Sequence, residues 1–406
     1  MKISHQTNTQ MSNEEYHCIG RGGCGSVWAI STTPPSTPPS TPPDPLEPWH
    51  TCEAIHPPFS RTQVLKRADG DPARSLINDM TMHLRLLAST SHVRLPFLIP
   101  QSHMLLCANH PAYPCNFSIG IQPCQTYVQE RIPALPATVR ETLISRYCPP
   151  KLQEHVRNSR RDEDCLVRVY CGKRRSEADA VRQKHFFTLR NYNLCIDQME
   201  ELGLETNALV GVLATALATC YFSAQIDAND CEFVFGQPCE AGVAEEEENV
   251  VPGRREHAFI FNMLRPNMAG ADDAMCENMA VWMLDFDCVR RISMDERGLR
   301  QAVDAYWRND PYFPRPWAHN HTREDKKLWG EFVIEFLNES TRIFARQMES
   351  DRGADAQAKY EKRMALAMWW VEEVEAEGER RRLEARIKAW VADVAEKTED
   401  GLIECY

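Results

Sequence analysis

The chain has 406 residues, 43% of them hydrophobic, and a formal charge of −12. That length suits one large two-lobed domain or two ordinary ones, and the apolar share is enough for a sizeable core. The acidic balance argues against a protein that coats nucleic acid, so nucleic acid is not an expected partner, and Lys173-Arg174-Arg175 reads as solvated surface. The sixteen cysteines include no Cys-x-x-Cys pair. The nearest metal-like cluster is Cys107, His110, Cys115 and Cys124, where Cys107-x-x-His110 alone has ligand spacing. Zinc is therefore not expected, and the thiols read as reduced and mostly buried.

Residues 1–15 are polar and are expected to be disordered. No secretory signal is visible, and no run approaches the ~20 apolar residues of a membrane span. A soluble intracellular protein, in cytoplasm or nucleus and without a membrane partner, is the expectation. Gly20-Arg21-Gly22-Gly23-Cys24-Gly25-Ser26-Val27 then fits G-x-G-x-x-G-x-V in full. Between two strands, Gly20, Gly22 and Gly25 would let backbone amides fold over nucleotide phosphates, and Val27 would cover the adenine. A helix should follow the glycines in a dinucleotide fold; the strand here points to a protein-kinase layout instead. The Pro-rich stretch 32–48, with its P-P-S-T repeat, is an extended insertion. Lys66 follows on the next strand, in Val64-Leu65-Lys66, where it would pair with phosphates.

Ser75 to Ser89 has helical periodicity, and Asp79 is the candidate carboxylate partner of Lys66. Aspartate is one methylene shorter than the glutamate expected there, which weakens the anticipated ion pair. Leu95 to Pro100 and Thr126 to Ile132 read as short strands, and Cys165 to Cys171 as a β-rich run. Asn207 to Phe222 is a buried helix by its all-round apolar pattern. Asp227 then stands where kinases place the catalytic-loop aspartate, in Gln225-Ile226-Asp227 instead of H-R-D, and Glu232 stands five residues on, where asparagine is expected. An acidic loop at 238–255 and a strand at Ala258-Phe259-Ile260-Phe261 follow. The next strand, Ala280 to Leu284, leads into Asp285-Phe286-Asp287, a counterpart of D-F-G. Leu328 to Met348 is an amphipathic helix. Asp355 to Val394 is a longer one, weakened at Gly378 and expected to pack on the domain instead of forming a coiled coil.

This order of motifs predicts an α+β protein with a two-lobed protein-kinase-like fold, having a small β-rich N-lobe, a larger helical C-lobe and a long C-terminal helix. The boundaries are an N-lobe over 16–132, a C-lobe over 133–350 and a helical extension over 351–406. Phosphoryl transfer needs a phosphate clamp, a divalent metal and a carboxylate near the attacking hydroxyl. Gly20, Gly22, Gly25, Val27, Lys66 and Asp79 are the candidate nucleotide residues, Lys66 and Asp227 the candidate catalytic ones, and Glu232 and Asp285 the candidate metal ligands. ATP and Mg²⁺ are the expected cofactors. The missing histidine and arginine before Asp227 and the absence of A-P-E after Asp287 favour weak or specialised catalysis, or a pseudokinase scaffold. Protein partners would then engage the C-terminal helix or the disordered loops.

Several strings also resemble a fungal family of unknown function whose members are labelled zinc finger proteins. They include Glu130-Arg131-Ile132-Pro133, Arg168-Val169-Tyr170, Asp227 to Gly236 and Leu284-Asp285-Phe286-Asp287. The resemblance spans roughly residues 15–320. It implies a recurring module to which Glu232 belongs, and it supplies no reaction.

Overall fold

A computed structural model describes residues 16–30, 59–111, 113, 121–183, 185–238, 261–263, 277–317 and 322–403. The N-terminus, the Pro-rich insertion, Cys115, the acidic loop beyond Pro238 and residues Ala258 to Ile260 of an expected strand lie outside this set. The chain divides into two compact units, Met1–Met80 with Gln101–Arg131, and Thr81–Pro100 with Ile132–Tyr406. The fold is mixed α+β, with a sheet in each unit and a long C-terminal helix.

In the first unit, β1 (Tyr16–Arg21) and β2 (Ser26–Ile30) form an antiparallel hairpin across the glycine-rich turn. Next come β3 (Gln63–Arg67), the start of helix α1 (Leu76–Ser89), whose residues from Thr81 on belong to the second unit, β4 (Ser102–Leu106) and β5 (Thr126–Glu130). The strands are antiparallel in the order β1-β2-β3-β5-β4. Strand alternation sorts the side chains to two faces. Tyr16, Trp28, Ile30 and Leu65 pack on one face, while Val27, Lys66 and Tyr127 lie in register across the strands on the other.

The residues 81–100, expected with the small lobe, group with the second unit because Met82, Leu86, Leu95, Phe97 and Ile99 belong to its core. Leu95 to Pro100 makes a single bridge instead of the expected strand: Leu98 N donates to Val281 O at 2.8 Å, and Leu98 O accepts from Met283 N at 2.9 Å. Pro96 and Pro100 have no N–H to continue the ladder. The unit then runs through α2 (Ala137–Tyr147), α3 (Pro150–Arg157), β6 (Val167–Tyr170), α4 (Glu177–Gln183), β7 (Tyr192–Cys195) and α5 (Ile196–Glu201). It continues with α6 (Thr206–Ala218), β8 (Glu232–Gly236), β9 (Phe261–Met263), β10 (Glu277–Leu284), α7 (Glu296–Arg308), α8 (Arg323–Ser350) and α9 (Ala356–Ile403). Its sheet has the order β7-β6-β8-β10-β9, with β6 and β7 parallel.

Helix α6 is apolar all round from Leu209 on and buried there except at the half-buried Gly211, and it runs into a π-helical turn at Thr219–Ala224. Contrary to the expectation that no run is span-like, Thr206–Ala224 is long and apolar enough to cross a bilayer, but 78% of it is buried inside the unit. It is a core helix, against which α8 packs. Helix α8 begins five residues before the expected Leu328 because Thr322 and Asp325 form a capping box: Thr322 Oγ1 accepts from Asp325 N at 3.1 Å, and Asp325 Oδ2 from Thr322 N at 3.0 Å. Helix α9 runs unbroken through Gly378, where a Cβ would lie 2.6 Å from Pro316 O and 3.0 Å from the Trp307 ring. Close approach, not helix weakness, explains that glycine.

Candidate functional site

In the first unit, Lys66 projects from β3 between its register neighbours Val27 and Tyr127. Its Nζ donates to Asp79 Oδ2 at 2.6 Å, and the Asp79 side chain is completely buried. The shorter aspartate arm therefore reaches. Asp79 sits in the first turn of α1, where the helix dipole also favours a negative charge. Tyr127 donates its hydroxyl to Ser102 Oγ at 2.7 Å. Burial pushes its phenol well up, the Ser102 bond offsets part of the rise, and the Asp79 carboxylate adds to it.

The glycine-rich turn is engaged with its own chain. Gly22 N donates to Gly25 O at 2.9 Å, and Asp71 N donates to Gly23 O at 2.8 Å. Asp69 accepts from Ser26 N at 2.7 Å and from Ser26 Oγ at 2.6 Å. Partial burial raises the Asp69 pKa, but the two Ser26 hydrogen bonds and Arg67 outweigh it, so the carboxyl sits below its ordinary value. Gly25 has φ +146°, and a Cβ there would stand 1.9 Å from Arg67 O. A Cβ on Gly70 would stand 2.4 Å from Gly23 O. Asp69 and Gly70 escaped the sequence reading, although Asp69-Gly70-Asp71 after a strand is a turn signal.

In the second unit, Asp227 is buried and both of its carboxylate oxygens accept hydrogen bonds. Oδ1 accepts from Asn229 N at 3.1 Å and Arg290 N at 2.9 Å, and Oδ2 accepts from Gln301 Nε2 at 2.8 Å. The loop around it holds Gln225, Ala228 and Asp230 at positive φ. Such strain persists only where neighbours impose it. Asn309 does so here: its Oδ1 accepts from Asp230 N at 2.6 Å and its Nδ2 donates to Ala228 O at 2.9 Å. Asn309 also went unnoticed in the sequence, since nothing local marks it.

Glu232 opens β8, and Arg168 of β6 donates to its carboxylate. A metal at Glu232 would have to compete with that guanidinium. Asp285 follows β10 directly at φ +64°. Phe286 is buried and stacks on His83, with ring centroids 4.8 Å apart and planes at 18°, while His83 Nε2 lies 2.8 Å from Pro100 O. Asp230, Asp287 and Cys288 bring ligand atoms within 4.8 Å of one another, the metal-capable group among the described residues. Glu232 and Asp285 are not part of it.

Residues 281–348 match the family model DUF3669, described as zinc finger protein. No curated protein and no solved structure matches the chain. The matched stretch covers the second half of β10, the Asp285-Phe286-Asp287 turn, α7 and most of α8. Its sequence contains a single cysteine, Cys288, with His319 and His321 outside the described residues. The two short-spaced ligand pairs of a zinc finger are not in that sequence. Farther from it, Cys107 is exposed and Cys124 half-buried.

Proposed function

We propose that the chain is a kinase-like nucleotide-binding protein whose residues would serve phosphoryl transfer to an acceptor still to be identified. The observation that carries this reading is the 2.6 Å Lys66–Asp79 ion pair, which ties a strand lysine to the carboxylate of the following helix. In kinases such a pair positions the lysine for the nucleotide phosphates. The antiparallel sheet around it supports the small β-rich lobe of a two-lobed kinase-like fold. The second unit adds a strand leading into Asp285, a Phe286 stacked on His83, and Asp227 after a buried helix. On this reading Lys66 and the backbone of Gly20 to Gly25 hold ATP phosphates, Val27 covers the base, and Asp285 with a neighbouring acid supplies oxygen ligands to Mg²⁺.

Two contacts favour a second reading, a scaffold without turnover. The glycine turn is anchored by Asp69 and Asp71, and the Glu232 carboxylate is taken up by Arg168. Asp227, with both oxygens bonded, is a loop brace before it is a base.

Thermal stabilisation by ATP with Mg²⁺ tests the first reading, each variant being compared with its own ligand-free baseline. Ligand at ~100 times its dissociation constant adds about 2.7 kcal/mol. We expect that shift in the native chain and its loss in Lys66→Met and Asp285→Asn. No shift with any divalent cation overturns nucleotide binding. A shift with no Mg²⁺-dependent loss of ATP leaves the scaffold reading in place.

A further inference from the structure

Helix α9 changes character at Gly378. Before it, Ala367, Trp370, Val371 and Val374 are buried in the core of the second unit. After it, the described side chains from Glu379 to Ala395 are all exposed. That outer half is not uniformly polar: Trp390 is 66% exposed and Ile387 51%, and Leu383, Val391 and Val394 are exposed with them. A helical turn that leaves the body of a protein gains nothing from such side chains unless something covers them.

We propose that this outer half pairs, antiparallel, with the same segment of a second copy of the chain. Leu383, Ile387, Trp390 and Val394 follow one another at steps of 4, 3 and 4 residues. This is the spacing of a two-stranded seam, and it reads the same in either direction. Antiparallel pairing about its centre sets Leu383 against Val394 and Ile387 against Trp390, twice over, as a two-fold axis requires. The charges fix the direction. Arg380, Arg381, Arg382, Arg386 and Lys388 outnumber Glu379 and Glu384 in the first half, although Arg380 and Arg381 also pair with Glu377 and Glu384 of their own helix. After the centre, the acids at 393, 396, 399 and 400 outnumber Lys397. Antiparallel copies lay basic on acidic, with position 393 of one copy flanking Arg386 of the other; parallel copies would set like charge on like. The seam is short, but the docked first half already holds the helix, so association bears little of the ordering cost.

Sedimentation equilibrium of the full chain across the micromolar range tests this. We expect a reversible monomer–dimer equilibrium that Ile387→Glu with Trp390→Glu abolishes. These side chains lie outside the core, so the thermal midpoint should be retained. Arg386→Glu should weaken the dimer by roughly tenfold, and adding Asp393→Arg should restore it. A monomer at every concentration overturns the proposal, as does a dimer that the double glutamate variant leaves intact. A dimer dissolved by the glutamates but not rescued by the charge exchange overturns the antiparallel register.

Discussion

A methyl group on Gly25 would lie 1.9 Å from the Arg67 carbonyl oxygen and 2.6 Å from Asp69 Oδ1, at a φ of +146° that L-residues rarely adopt. On Gly22 it would meet nothing within 4 Å. The two glycines of one motif therefore differ: packing of the turn on its own chain requires Gly25, whereas no protein neighbour requires a glycine at position 22. Gly25→Ala should cost about 2–4 kcal/mol in urea unfolding, from strain and overpacking together. Gly22→Ala should stay within ~0.5 kcal/mol, and on the nucleotide-binding proposal its effect would show in nucleotide affinity instead. Equal losses in both would mean that the turn is not held as described. At the same scale, Lys66 and Asp79 illustrate how a conservative shortening is absorbed: the start of α1 at Leu76 puts Asp79 in its first turn, and the 2.6 Å contact forms.

Helix α9 shows how an element can contradict its own propensities. Alanine in place of a mid-helix glycine ordinarily stabilises by about 1 kcal/mol. At Gly378 the added Cβ would meet Pro316 O at 2.6 Å and Trp307 at 3.0–3.1 Å. Gly378→Ala should therefore destabilise, by about 1–3 kcal/mol. A raised thermal midpoint would place α9 farther from α7 than it is described. Helix α8 makes the converse point, since its start is set by the Thr322–Asp325 box and not by its apolar stripe, which begins only at Leu328. Around these helices an aromatic cluster of Tyr306, Trp329, Phe332, Phe336 and Trp370 unites α7, α8 and α9, with Phe336 and Trp370 centroids 4.5 Å apart.

For the molecule as a whole, buried thiols and phenols set its behaviour in alkali. Burial pushes Cys195 up to about 11 and Cys165 up to about 12, and raises Cys171, Cys220, Tyr221 and Tyr306. A raised folded pKa means that the folded state holds its proton longer than the unfolded one. The stabilisation is complete below the unfolded thiol value of about 8.5 and is lost as pH rises from there toward the folded values. The thermal midpoint should thus fall steadily between about pH 8.5 and pH 11. A flat profile would mean that these groups are solvated.

The sequence by itself determined the local chemistry: the glycine turn between strands, Lys66 on a strand, Asp79 on the next helix, the enclosed helix at Asn207 to Phe222, and a strand leading into Asp285-Phe286-Asp287. Each is written in a pattern of neighbours a few residues apart, which periodicity and turn residues reveal. Three further features depended on the tertiary structure: that Asp69 and Gly70 grip the glycine turn, that Arg168 claims Glu232 across sixty-four residues, and that Asn309 braces the Asp227 loop. Those contacts join positions far apart in sequence. Burial and distance decide them, and no local pattern encodes either quantity.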